Sequence, residues 1–175
     1  MNILTEIHRT PGVNVNGRMI QRTAVRGVIL RSRNLLMIHS SKVGDFKFPG
    51  GGVNKGETHA QALCREVHEE SGMSVISIAP ELGAIIEYDI PVESDYDVFK
   101  MDSHYYPCEV EDTFGTQTLD DYEQALGFKP VWIAIDRAIE LNKALLHSDD
   151  RPKWLKREIF VLEYIQRSLI STALA

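Results

Sequence analysis

Along the first third of the chain, apolar and polar positions alternate. Residues 22–30 and 35–39 read as two strands joined at Ser32, Arg33 and Asn34, a hairpin. Residues 46–53 then hold Gly50, Gly51 and Gly52, where the backbone must turn tightly or approach a ligand. From Thr58 the period changes. Ala60, Leu63, Cys64 and Val67 recur at i, i+3, i+4 and i+7, one buried stripe of a helix over 58–71. Thr58 with Gln61 three positions on is a capping-box signature, and Gly72 stands where a left-handed C-terminal cap belongs. Residues 75–90 and 98–110 are strand material rich in Ile, Val and Tyr, with Pro107 expected at an edge or bulge. Residues 112–127 read as an acidic loop and 128–135 as a strand. Asp136 is expected to cap a helix running to 145. A last helix over 151–169 carries the stripe Leu155, Ile159, Leu162, Ile165 and Leu169, with Phe160 beside it. Strands dominate the middle and helices surround them, which predicts an α+β fold with a mixed sheet.

Composition narrows the function classes. A chain of 175 residues suggests one domain, 1–175, with a sizeable core. Net charge −6 argues against broad nucleic-acid binding but admits a small anionic substrate bridged by metal ions. Apolar runs are too short to span a membrane, and the residues around Glu6 and His8 lack the apolar region of a signal peptide. Cys64 and Cys108 are too few for a disulfide scaffold, which predicts a reducing, cytoplasmic setting.

The chemistry concentrates between Gly51 and Met73. Glu66, Glu69 and Glu70 stand at i, i+3 and i+4, so their carboxylates share one helix face, expected to point away from the apolar stripe. Alone, three glutamates are an ordinary solvated face. Beside a glycine-rich loop they form an oxygen-donor set suited to Mg²⁺ or Mn²⁺. Arg65 is placed to pair with a neighbouring glutamate.

The full spacing is Gly51, five residues, Glu57, seven residues, then Arg65-Glu66-Val67-His68-Glu69-Glu70-Ser71-Gly72-Met73. This resembles the signature box of the Nudix hydrolase family at every fixed position, Met73 being the loosest fit, and Phe48-Pro49-Gly50-Gly51 resembles its lead-in. The resemblance implies an α/β/α sandwich around a mixed sheet and metal-dependent hydrolysis of a diphosphate bond in a small nucleotide-type substrate. It implies Glu66, Glu69 and Glu70 as metal ligands, joined by the Gly50 carbonyl, with Mg²⁺ as cofactor and Mn²⁺ able to substitute. Glu57 would sit near the metal or pair with Arg65. The general base would be Glu69, Glu70 or a loop carboxylate, with Asp120, Asp121 and Glu123 as candidates.

Other residues stay open. Lys47 and Lys55 flank the glycines and either steer phosphate or are plain solvated lysines. Either of Tyr105 and Tyr106 stacks on a base or packs the core. His59 and His68 read as surface histidines. Trp154 packs the last helix or belongs to a homodimer interface. Pro91 and Tyr88 lie near, but off, the offsets that mark ADP-ribose and dinucleoside polyphosphate enzymes of the family. The order of preference is ADP-ribose or a nucleotide sugar, then a (deoxy)nucleoside triphosphate or dinucleoside polyphosphate. A non-hydrolysing nucleotide sensor would lack box carboxylates that are all present here. A family isomerase would need a catalytic cysteine.

Overall fold

Alternation along the chain becomes two sheets, and the long strands decide their partners. The computed structural model describes residues 2–173. In chain order the elements are β1 (Ile3–His8), β2 (Met19–Val28), β3 (Leu30–Arg31), β4 (Asn34–Ser40), β5 (Phe46–Lys47), α1 (His59–Ser71), β6 (Val75–Ile78), β7 (Gly83–Asp89), β8 (Val98–Val110), α2 (Asp121–Leu126), β9 (Phe128–Ala134), α3 (Ile135–Ala144) and α4 (Leu155–Ala173). One sheet is ordered β1-β7-β8-β2, with β6 also on β8; the other joins β3, β5 and β9 through β4. The sheet is mixed: β1 runs parallel to β7 and β2 parallel to β8, while β7 and β8 are antiparallel.

The expected hairpin is only a stub. Leu30 and Arg31 pair with Leu35 and Asn34 around Ser32 at φ +56°, whereas β2 departs to β8 and β4 to β9. Alternation marks a strand but does not choose its partner. Pro107 lies inside β8, opposite an irregular stretch between β6 and β7. There the Ala79 N–H donates to the Pro107 carbonyl at 2.8 Å and the Leu82 N–H to that of Tyr105 at 2.9 Å. A missing N–H costs little where the facing ladder is itself broken.

Two apolar clusters place helices on both faces. Val25, Ile29 and Leu36 pack against Ala62, Leu63 and Val67 of α1. Leu35, Met37, Phe48 and Tyr105 pack against Ile135, Ala138 and Ile139 of α3 and Val161, Leu162 and Ile165 of α4. The architecture is therefore an α/β/α sandwich. Leu169 is exposed, so the buried stripe of α4 ends at Ile165. Asp136 sits in the first turn of α3 rather than at its cap, which is Ala134, and it accepts from Gln166 at 2.5 Å.

The stretch 112–127 is not all loop, because α2 lies within it. Asp120 and Glu123 close a capping box, each side chain accepting from the other's backbone N–H, and Gly127 caps the helix at φ +65°. The Asp-x-x-Glu spacing was the local signal. No residue of α2 is buried, so it had no apolar stripe to announce it.

Candidate active site

The helix that bears the box starts where local chemistry says it should. Thr58 and Gln61 form the capping box of α1, and Gly72 ends it in the left-handed region at φ +71°. Its buried face is rotated from the expected one. Ala60 and Cys64 are exposed, while Ala62, Leu63 and Val67 are buried together with Glu70 and Ser71. The rotation turns the last carboxylate of the cluster inward.

Glu70 is 1% exposed and fully engaged. Lys47 Nζ lies 2.5 Å from its Oε1, and the Gly50 N–H donates to its Oε2 at 2.8 Å. Lys47, left open by the sequence, is thus a buried partner of Glu70, seated over the Phe128 ring at 4.6 Å. The Gly50 carbonyl, expected among the metal ligands, accepts a hydrogen bond from Arg26. Gly50 holds φ +140°, and a Cβ there would lie 2.1 Å from the Val25 carbonyl oxygen, so only glycine fits. The loop is further anchored to α4, since the Phe48 N–H donates to buried Glu158 at 2.9 Å and Glu158 in turn binds Arg157.

Arg65 gathers the remaining carboxylates. Its Nε and one terminal nitrogen bind both oxygens of Glu57 at 2.9 Å each, a two-pronged pair. Its other terminal nitrogen donates to Glu66 at 2.7 Å and Glu69 at 3.0 Å, and a bond to the Gly52 carbonyl ties the helix to the glycine loop. Arg65 and the Asn54 N–H hold the Glu57 carboxyl down at about 2. Burial, opposed by Arg65 and reinforced by Glu70, holds Glu66 above the usual carboxylate range. Of the two places expected for Glu57, it occupies the one beside Arg65.

A further carboxylate arrives from α2. Glu123 comes within hydrogen-bonding reach of Glu70, and burial together with the Glu70 charge pushes its carboxyl up to about 7. Three backbone-directed bonds dock this segment on α1: Gly115 N–H to Gly72, Thr118 N–H to Glu69, and Gln117 to Glu70. Asp120 is spent on capping, and Asp121 is exposed. Clustered carboxyls repel unless a proton or cation lies among them, and every ligating atom the box offers is a hard oxygen. That fits a divalent cation of the Mg²⁺ type. Among the described residues no three His, Cys, Asp or Glu side chains converge at ligating distance; Arg65 occupies the space between Glu66 and Glu69, and Lys47 is paired with Glu70.

The residues left open by the sequence now have places. His59 Nδ1 lies 2.7 Å from the Tyr106 hydroxyl and its ring 4.6 Å from that of His104, which meets Glu81 at 2.9 Å. Burial and the neighbouring His104 lower the pKa of His59. Tyr105 is core, edge-on to Phe48 at 5.6 Å. Trp154 donates to Asp45 at 2.8 Å and meets Tyr122 at 6.4 Å, so it is used within the chain.

Comparison with known proteins agrees with this fold. The NUDIX domain model matches residues 20–157. A NUDIX hydrolase from Nitrosomonas europaea superposes with TM-score 0.54 at 20% identity, covering 75% of this chain and 84% of its own. The MutT NUDIX hydrolase of Burkholderia pseudomallei gives TM-score 0.50 at 20% identity, over 67% and 85%. Among curated relatives, the RNA pyrophosphohydrolase of Brucella ovis is 46% identical over 46 residues, 26% of each chain. That of Helicobacter pylori is 37% identical over 59 residues, 34% of this chain and 38% of its own. The chain thus spans between a quarter and two fifths of the curated relatives it matches. With its sandwich fold and its box helix, the chain belongs to the NUDIX family.

Proposed function

We propose that this chain is a pyrophosphohydrolase that cleaves a diphosphate bond in a nucleotide-type substrate with the help of Mg²⁺, for which Mn²⁺ can substitute. The observation that carries this reading is the box helix itself, where Arg65 gathers Glu57, Glu66 and Glu69 and both Arg65 and Glu70 bond to the glycine loop. Glu66, Glu69 and Glu70 would hold the cation, with the Gly50 carbonyl available once Arg26 releases it. A bound divalent cation neutralises substrate phosphates and makes an attached water more acidic. Glu123 is the candidate acceptor of the proton from the attacking water, since it reaches the carboxylate cluster from a separate element. Arg65 and Glu57 act as positioning residues that fix Glu66 and Glu69.

Sequence markers rank ADP-ribose or a nucleotide sugar first and a (deoxy)nucleoside triphosphate or dinucleoside polyphosphate second. The name of the partial relatives, RNA pyrophosphohydrolase, adds RNA to that list. The free Cys64 and Cys108 support a cytoplasmic setting. No helix among the described residues is long and apolar enough to cross a membrane. Light scattering on the purified chain reads out monomer against homodimer.

The test is a substrate panel with Mg²⁺ and with Mn²⁺, products identified by mass spectrometry in ¹⁸O-water, with Glu70→Gln as control. Metal-dependent cleavage lost in the control is the expected result, and the ¹⁸O position names the phosphorus attacked. Nucleotide binding with no turnover of any member would overturn the reading in favour of a sensor.

A further inference from the structure

Beside the carboxylate helix lies a space of opposite charge. A cleft of about 690 Å³ opens between β2, the loop 52–57 and β8, a size typical of small-ligand pockets. Its walls carry Arg22, Arg26 and Lys55. The one carboxylate among its lining residues, Glu57, is already held by the two-pronged bond to Arg65. The cleft is therefore cationic in a chain whose net charge is −6.

Its cations are not spent. Arg22 and Lys55 are exposed and make no hydrogen bond or ion pair among the described residues. Arg26 is buried at 8% exposure; one terminal nitrogen serves the Gly50 carbonyl, while its Nε has no partner. A buried guanidinium N–H without an acceptor is costly, and an anionic oxygen entering the cleft would supply one. Apolar lining is limited to Ala24, Val53 and Met101, too little to favour an apolar group. Glu57 in the cleft wall is bonded to Arg65, which also binds Glu66 and Glu69, so the cleft borders the carboxylate cluster.

We propose that this cleft binds the substrate phosphates lying beyond the scissile diphosphate bond, with Arg22 and Lys55 as specificity-determining residues. The preferred substrate is then a nucleotide carrying three or more phosphates in a row. A nucleotide sugar has only two, both engaged at the α1 carboxylates, and would leave Arg22 and Lys55 facing neutral hydroxyls. This reverses the order set by the sequence markers. It rests on the hydrolase reading above but is tested separately.

The experiment uses the full chain and the double variant Arg22→Gln/Lys55→Gln. Both side chains are exposed, and an unchanged thermal melt verifies the fold. Calorimetry with inorganic tripolyphosphate on metal-free protein gives a readout independent of turnover. The expected result is about a tenfold weaker Kd in the variant, the two lost charge-assisted phosphate contacts, both solvent-exposed, together counting for about that much. In turnover, the kcat/KM ratio of a nucleoside triphosphate over a nucleotide sugar should fall about tenfold, mostly through KM. Equal tripolyphosphate binding by both proteins, or an unchanged ratio, overturns the proposal. If the parent chain hydrolyses nothing, the hydrolase reading falls and tripolyphosphate binding alone decides the role of the cleft.

Discussion

Lys47 on β5 meets Glu70 in the last turn of α1 at 2.5 Å, both side chains nearly sealed from solvent at 11% and 1% exposure. The pair joins the glycine loop to the box helix at the last of its three carboxylates. Burying one charge without the other is unfavourable, because desolvation is then uncompensated.

Removing the lysine should therefore reach the fold as well as the site. Lys47→Met leaves Glu70 buried beside Gly50 without its cation. The expected loss is about 3 kcal/mol of unfolding free energy, read by urea denaturation. Unchanged stability would show that Glu70 turns to solvent when released.

Arg65→Lys should separate positioning from stability. A lysine cannot span both oxygens of Glu57 while also holding Glu66 and Glu69. Activity or metal affinity should drop about 10- to 100-fold, the usual cost of losing a group that orients ligating carboxylates. The thermal midpoint should move little, since Arg65 is partly exposed. Titration of Mg²⁺ against initial rate measures the first effect and a melt the second.

Neighbouring glycines should fail in different ways. Gly50→Ala forces a side chain at φ +140° against the Val25 carbonyl, backbone that cannot yield. A loss of about 3 kcal/mol or more is expected. At Gly51 the added Cβ would lie 2.2 Å from Glu66 Oε2, the end of a flexible side chain. Gly51→Ala should keep the fold, displace Glu66 and depress activity. Circular dichroism melts beside rate measurements distinguish the two.

Acid should act through the buried ion pairs behind the glycine loop. Glu87 is 1% exposed. Burial alone would raise its pKa, but Arg157 at 2.7 Å and Arg9 at 2.8 Å outweigh it and hold the carboxyl below its ordinary value. A carboxylate depressed in the folded state contributes stability that is complete above its unfolded pKa of about 4.3. That contribution is lost as pH falls through the lower, folded value. Urea melts from pH 6 to pH 3 should show a decline beginning near pH 4, shallower in Glu87→Gln. Equal slopes in the two proteins would remove Glu87 from the acid transition.

Much of the box helix was legible locally. A capping box at Thr58 and Gln61 and a left-handed Gly72 are relations within a few residues, and both stand where the spacing puts them, whereas the carboxylate face is split by the burial of Glu70. The strand 98–110 was likewise readable from its β-branched and aromatic run. The short helix at Asp121–Leu126 also had its cap in the sequence, but no apolar period made it stand out.

What the sequence by itself determined is this local grammar: the helix that bears the box, its ends, the glycines that only glycine can fill, and the family. Which face of that helix is buried was decided by tertiary packing. Periodicity allowed Ala60 and Cys64 to lie inward, but contact with Val25, Ile29 and Leu36 selected Ala62, Leu63 and Val67 and drew Glu70 in with them. Only the assembled fold brings Glu123 to Glu70, Lys47 to the same carboxylate and Arg22 to Lys55 across one cleft. These pairs are far apart along the chain, and no periodic signal encodes a distance that exists only after strands such as β2 and β8 have paired.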